Sequence, residues 1–341
     1  MSLIAAATRF VERAPLPDVL SKLGVTALVD RASRSLSSRS GASEVEFVRE
    51  MDQFPVATDV QAANQQHYEL PDDFFALTLG PARKYSCCLY PSGEETLAEA
   101  ETLALEATVE RADLKDGQRI LELGCGWGSL SLFMAERFPL AFITAVSNSV
   151  SQRRFIERAA AERRLQNLRI ITADMNSFEP GQVYDRVVSV EMFEHMSNWS
   201  ELLARIRNWL EVDGRLFVHV FTHRSKPYRF DHGDEADWVA QHFFTGGIMP
   251  SHGLMMCFSE FFAVEQDWRW TGSHYRRTAL HWLDNFDANR TAIDAILTEV
   301  YGADADLWRR RWRLFFFATA GLFGHANGEE WGVSHYRLRP T

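Results

Sequence analysis

Short, mostly apolar runs alternate with amphipathic stretches between Gly117 and Phe221. RILELG (119–124), AFITAVS (141–147), LRIITAD (168–174), YDRVVSVE (184–191) and RLFVHVF (215–221) predict buried strands. SLSLFMAERF (129–138), SQRRFIERAAAERRL (151–165) and WSELLARIRNWL (199–210) space their apolar residues as helices do. This alternation predicts an α/β fold, with a parallel sheet covered by helices on both faces. Upstream, residues 95–112 predict a helix, and Pro71, Asp72 and Asp73 suit a helix start. Residues 1–80 are expected to form a helical arm or cap, with Ser33 to Ser43 as a linker, and 81–341 the main domain. After Phe221 the alternation loosens. Residues 223–257 look like an irregular insertion, 264–272 a strand, 276–323 a helical stretch and 329–339 a closing strand.

Composition narrows the class. At 341 residues the chain can bury a large core, and 46% hydrophobic with 24% charged residues is ordinary for a globular protein. A formal charge of -10 argues against nucleic acid as a partner, because phosphate contacts need a concentrated basic face. Arg309, Arg310, Arg311 and Arg313 read as a solvated helix face. Four cysteines without CxxC or zinc-ligand spacing, two of them adjacent, suggest a reducing, cytoplasmic setting. No apolar run is long enough to insert stably in a membrane. Seven of the ten tryptophans lie at or beyond Trp238, which fits either a substrate chamber or a bulky core.

Chemistry concentrates in two places. Glu122-Leu-Gly-Cys-Gly-Trp-Gly-Ser129 puts Gly124, Gly126 and Gly128 between a buried strand and a helix, where backbone turns tightly against a ligand. With Glu122 two residues upstream, it resembles the first motif of class I methyltransferases that use S-adenosylmethionine (SAM). No acidic residue ends the second strand; Ser147, Asn148 and Gln152 stand there instead. Asp174 ends the third strand, as an adenine-side residue or a helix cap. The second place is VEMFEHM (190–196), where a strand should end at Val190 and a helix start at once. Glu191, Glu194 and His195 would then share a helix face at the ligand-binding edge of the sheet. Methyl transfer to an amine needs a free nitrogen lone pair. A carboxylate beside an imidazole can hold the ammonium, take its proton and relay it. His219 and His223 have HxxxH spacing, but His219 lies on a strand, and no metal site is expected.

Further segments recur in the same order: ANQQHYELP (63–71), KYSCCLY (84–90), TLAEAE (96–101), NSVSQ (148–152), FFTGGIMPS (243–251), GSHYRRT (272–278) and NGEEWGVSHY (327–336). Together with the two motifs they resemble the cyclopropane-fatty-acid synthase superfamily, and within it the coclaurine-type alkaloid N-methyltransferases. The resemblance implies a Rossmann-like core, a parallel sheet with a terminal antiparallel strand, an N-terminal helical arm and helical, aromatic insertions forming a substrate chamber. It implies SAM as cofactor, S-adenosylhomocysteine (SAH) as product and a small-molecule amine as substrate. Tyr85 and Ser86 would contact SAM, Gly124 and Gly126 its methionine part, Asn148 and Gln152 the ribose, and Met175 the adenine. Glu191 and His195 match the catalytic pair of the N-methylating branch. Cys87, Glu194, His219 and Tyr275 match positions that bind bicarbonate in cyclopropane synthases; N-methylating relatives carry them too, so the resemblance leaves them as a bicarbonate site of a lipid-acting enzyme or a shared structural network. Cyclopropanation or C-methylation of lipid chains is thus an alternative, and a non-catalytic SAM-binding protein another. The amine's identity and the oligomeric state, a homodimer among the options, stay open.

Overall fold

The computed structural model describes residues 12, 17–38, 43–58, 70–231, 233 and 237–341. Most of the ANQQHYELP segment therefore lies outside the described residues. Helices α1 (Asp18–Ser38), α2 (Glu44–Met51), α3 (Asp72–Thr78) and α4 (Leu97–Arg111) precede the sheet. There follow β1 (Arg119–Leu123), α5 (Ser129–Arg137), β2 (Phe142–Ser147), α6 (Val150–Glu162), β3 (Leu168–Thr172), β4 (Tyr184–Val190), α7 (Trp199–Asn208) and β5 (Leu210–His223). The insertion contributes β6 (Tyr228–Arg229), α8 (Trp238–His242) and β7 (Ile248–Met249). Last come β8 (Phe262–Thr271), the helices α9 (Gly272–Ala288), α10 (Arg290–Tyr301) and α11 (Ala305–Gly324), and β9 (Trp331–Pro340).

The main sheet runs β3-β2-β1-β4-β5-β9-β8. β1 to β5 pair in parallel, while β9 pairs antiparallel with both β5 and β8. The antiparallel strand is thus last in sequence but second from the sheet edge. Alternate residues of β1 serve opposite faces, as strand geometry requires. Ile120 packs with Leu105, Leu130 and Met134 from α4 and α5. Leu121 and Leu123 pack with Trp199, Leu202 and Ile206 from α7. A third body of apolar side chains, including Trp282, Phe286, Trp312 and Phe316, joins α9 to α11.

Two boundaries differ from expectation. Ser33 to Ser38 continue α1 and are not a linker. Serine tolerates a helix when its hydroxyl finds a partner, and Ser33 donates to Glu330 at 2.8 Å while Ser38 donates to the Ser35 carbonyl. Asp213-Gly214, which as an Asp-Gly pair reads from the sequence as a turn before the 215–221 strand, lies within β5 beside a register shift between Tyr184 and Arg186. Among the described residues, no helix is long and apolar enough to cross a membrane.

Candidate active site

Two cavities meet at the C-terminal edge of β1 and β4. The smaller, about 90 Å³, is lined by Gly124, Gly126, Asn148, Gln152, Asp174 and Met175, with Ala57, Thr58, Val146, Ser147, Met192 and Met196 completing the wall. Sequence reasoning missed the latter group except Ser147, because most are apolar or reach the site through the folded N-terminal segment. Ala57 and the Asn176 amide exchange hydrogen bonds at 3.0 and 3.1 Å, and Thr58 meets Ser197 at 3.0 Å, fastening that segment over the cavity.

The lining suits a nucleoside cofactor. Gly126 has φ +51°, and a Cβ placed there would meet no protein atom within 4 Å, only cavity. Ser147 donates to Gln152 Oε1 at 2.6 Å, which fixes the amide, yet Gln152 Nε2 is buried and has no acceptor among the described residues. An orphaned donor of this kind fits a sugar hydroxyl. Gly128 is different. It does not line the cavity, and a Cβ there would sit 2.6 Å from Ile156, so its bareness serves packing. Ser86 lines neither cavity; it accepts the Lys84 ammonium at 2.5 Å. Tyr85 lines the second cavity and not the first.

The second cavity, about 500 Å³, is walled by α1, α11 and the aromatic rings of Tyr85, Phe221, Trp238, Phe244, Trp282 and Phe323. Glu194 and Tyr275 also face it. Glu191 and His195 line both cavities.

The expected helix after Val190 is absent. Glu191 takes φ +47°, and only Phe193–His195 forms a 3-10 turn, so Glu191 and His195 do not share an α-helix face. The left-handed turn costs on the order of 1 kcal/mol for a residue with a Cβ. It is held by the Glu191 N–H, which donates to the His219 carbonyl at 2.8 Å. The turn swings the carboxylate back over the sheet. There Cys87 N–H donates to Oε1 at 2.8 Å, His219 Nε2 meets Oε1 at 3.2 Å and the Tyr275 hydroxyl donates to Oε2 at 2.7 Å. Three of the four groups matched to bicarbonate binding therefore hold Glu191's own carboxylate.

Electrostatics follow burial. Desolvation raises the Glu191 pKa, opposed by the Lys84 ammonium, the Tyr275 hydroxyl and the Cys87 N–H. Burial, then repulsion from Glu191, raises Glu194 much further. Glu194 Oε1 accepts Phe221 N–H at 3.2 Å, and its buried Oε2 has no partner among the described residues. Burial, with Lys84 and Arg111 as nearby cations, keeps His219 neutral. His195 packs its ring on Phe244, centroids 4.5 Å apart. Lys84, itself buried, stands within KYSCCLY but drew no role of its own from the sequence, because one lysine carries no periodicity.

The family model for mycolic acid cyclopropane synthetase matches residues 57–328. The chain belongs to that family. It is 38% identical over 299 residues to an (S)-coclaurine N-methyltransferase of Thalictrum flavum subsp. glaucum, covering 86% of this chain and 83% of that one. A crystal structure of coclaurine N-methyltransferase bound to N-methylheliamine and SAH superposes with a TM-score of 0.91 at 32% identity, covering 99% of this chain and all of the other. A cyclopropane synthase from Mycobacterium tuberculosis shares the fold, with a TM-score of 0.71 at 22% identity over 84% of this chain and 99% of that one. The protein is a SAM-dependent methyltransferase with a Rossmann-like core.

Proposed function

We propose that this methyltransferase N-methylates a cyclic, aromatic secondary or tertiary amine, with Glu191 as proton acceptor and His195 as its partner. The observation that carries the reading is that, among the described residues, only Glu191 and His195 belong to the walls of both the smaller cavity and the aromatic chamber. SAM bound in the smaller cavity, against Gly124, Gly126, Asn148, Gln152, Asp174 and Met175, supplies an electrophilic methyl group on a sulfonium.

The chamber's size suits a ligand of a few fused rings. Its aromatic walls favour a cationic guest by roughly 0.5–2 kcal/mol per cation–π contact. An ammonium entering the chamber meets the Glu191 carboxylate, the charged form of which is supported by the Tyr275 hydroxyl, the Cys87 N–H and Lys84. Proton transfer to Glu191 frees the lone pair, and His195 passes the proton on. Glu194, raised well above the usual carboxylate range, serves as a neutral group that can donate to the substrate through Oε2. Because Glu191 takes up the donors matched to bicarbonate, no external anion is needed, which supports amine over alkene. Most of the chamber wall comes from α1 and from the stretches 223–257 and 276–323, and we assign those stretches the acceptor-binding role. The four free thiols suit a cytoplasmic enzyme.

Methyl transfer from labelled SAM should appear with tetrahydroisoquinolines and be absent with vesicles of unsaturated phospholipid. Glu191→Gln should lose about a hundred- to ten-thousand-fold in kcat, with SAM affinity kept. Raising the pH should recover part of that loss, since a deprotonated amine needs no base. Methylated or cyclopropanated lipid chains with no amine product would overturn the reading.

A further inference from the structure

Glu191 stands at one end of a buried chain of side chains that crosses the sheet. His219 on β5 and His335 on β9 lie directly opposite each other in the antiparallel ladder. Such a cross-strand pair places side chains in contact. His219 Nδ1 meets His335 Nε2 at 2.9 Å, and the rings lie 4.5 Å apart. Both histidines are fully buried. Beyond them, Arg111, in the last turn of α4, hydrogen-bonds His335 Nδ1. Its guanidinium lies 5.1 Å from the rings of both Trp268 and Trp270, and Trp270 packs edge-on against His335 at 4.3 Å.

A guanidinium only donates. His335 Nδ1 must therefore accept, and its proton sits on Nε2. His335 Nε2–H then donates to His219 Nδ1, which leaves the His219 proton on Nε2, aimed at Glu191 Oε1. Each link fixes the next, and the direction is set at Arg111. We infer that Arg111 and His335 are positioning residues that lock His219 in the tautomer donating to Glu191, so that the carboxylate remains an ionised acceptor in a buried site.

The groups facing Glu191 are Lys84 and Cys87 from the segment before α4, Tyr275 from α9, Glu194 from the 3-10 turn and His219 from β5. Arg111 and Lys84 flank the histidine pair and disfavour a third positive charge between them. In the opposite tautomer, His219 would present a lone pair to Glu191, which only a protonated carboxyl could satisfy. The fixed direction has a second consequence. A proton taken up by Glu191 finds no acceptor on the His219 side, so it leaves past His195.

The proposal rests on Glu191 as proton acceptor, but its decisive measurement needs no turnover. Nitrogen-15 NMR of histidine-labelled protein should show protonated Nε2 and bare Nδ1 at both His219 and His335, assigned with His335→Gln and with a second spectrum of Arg111→Met. In Arg111→Met the signature of both rings should become mixed. A His219 proton on Nδ1 in the parent protein overturns the proposal, whatever the activity. In turnover, Arg111→Met should lose roughly ten- to hundredfold in kcat, the scale on which oriented metal-bound histidines lose function when their partner is removed. The acidic limb of its kcat profile should move to higher pH, with KM for SAM unchanged, and Arg111→Lys, which keeps a donor-only cation, should restore the limb. An unmoved limb in a folded Arg111→Met overturns the assignment, because a merely structural loss would scale the profile without shifting it.

Discussion

Glu122 and Glu191 are both buried carboxylates one strand apart, and the protein treats them differently. Glu191 accepts from the Cys87 N–H and the Tyr275 hydroxyl, touches His219 Nε2 and has an ammonium nearby. Among the described residues, the Glu122 side chain has only the Ser131 hydroxyl, at 2.5 Å, and burial pushes its pKa up to about 7. Its folded-state pKa thus lies above the unfolded value. The folded chain holds the proton more tightly, so Glu122 favours folding most below about pH 4.5, and that contribution is lost as pH rises towards 7. The full effect is at most roughly 3 kcal/mol. Glu122→Gln carries no such titration. Urea denaturation of apoprotein should show the variant gaining on the parent between pH 5 and pH 8. An equal difference at both pH values would mean that Glu122 is not neutral in the fold. Glu122 itself was legible as part of a glycine motif, and Glu191 and His195 as part of VEMFEHM. The left-handed turn at Glu191 was not. Its spacing to Glu194 and His195 also suits a helix, and what breaks the helix is a carbonyl on β5, 28 residues away.

At the scale of elements, strand–helix alternation exposed the parallel half of the sheet, because buried parallel strands are short apolar runs and their helices are amphipathic. The position of β9 between β5 and β8 was hidden, since a closing strand's neighbours depend on the whole sheet. The pairing of His219 with His335 follows from that position, which is why neither His335 nor Arg111 stood out in the sequence. The glycine turn between β1 and α5 separates two roles that its spacing alone merges. At Gly126 a new side chain enters the cofactor cavity; at Gly128 it strikes Ile156. Gly126→Val should therefore lower SAM affinity, by calorimetry, about tenfold or more, while a left-handed β-branched residue costs on the order of 1–2 kcal/mol in stability. Gly128→Ala should do the reverse, lowering the unfolding midpoint more than the affinity of the protein that remains folded. If both variants lose affinity and stability in the same proportion, the two glycines share one role.

For the whole molecule, the chamber is finished by the part of the chain farthest in sequence from the sheet strands it faces. Only Val25 and Val29 of α1 are buried, yet Val25, Leu28, Val29, Arg31, Ala32 and Ser35 line the chamber. The helix is tied down by side chains at its start and past its middle. Arg313 forms a two-pronged pair with Asp18 at 2.9 and 3.1 Å and also pairs with Asp287 at 2.7 Å. Farther along, past the middle of α1, His325 bridges Asp30 and Glu330, at 3.4 and 3.0 Å. Between these ties α1 approaches Gly321 so closely that a Cβ there would meet Val25 Cγ1 at 2.4 Å. A helix with so little buried apolar surface depends on such ties for its position. Partly exposed pairs contribute about 0.2–1 kcal/mol each. Releasing one should open the chamber wall without disturbing the cofactor cavity, none of whose lining residues belongs to α1. Arg313→Ala should thus raise KM for the amine by up to about fivefold, the ratio that 1 kcal/mol allows, and leave the SAM dissociation constant unchanged. Gly321→Ala should act the same way by displacing Val25, with no change in charge. Steady-state kinetics with either substrate varied will separate the effects. A loss of SAM affinity matching the rise in amine KM would show that α1 supports the fold as a whole rather than one wall of the chamber.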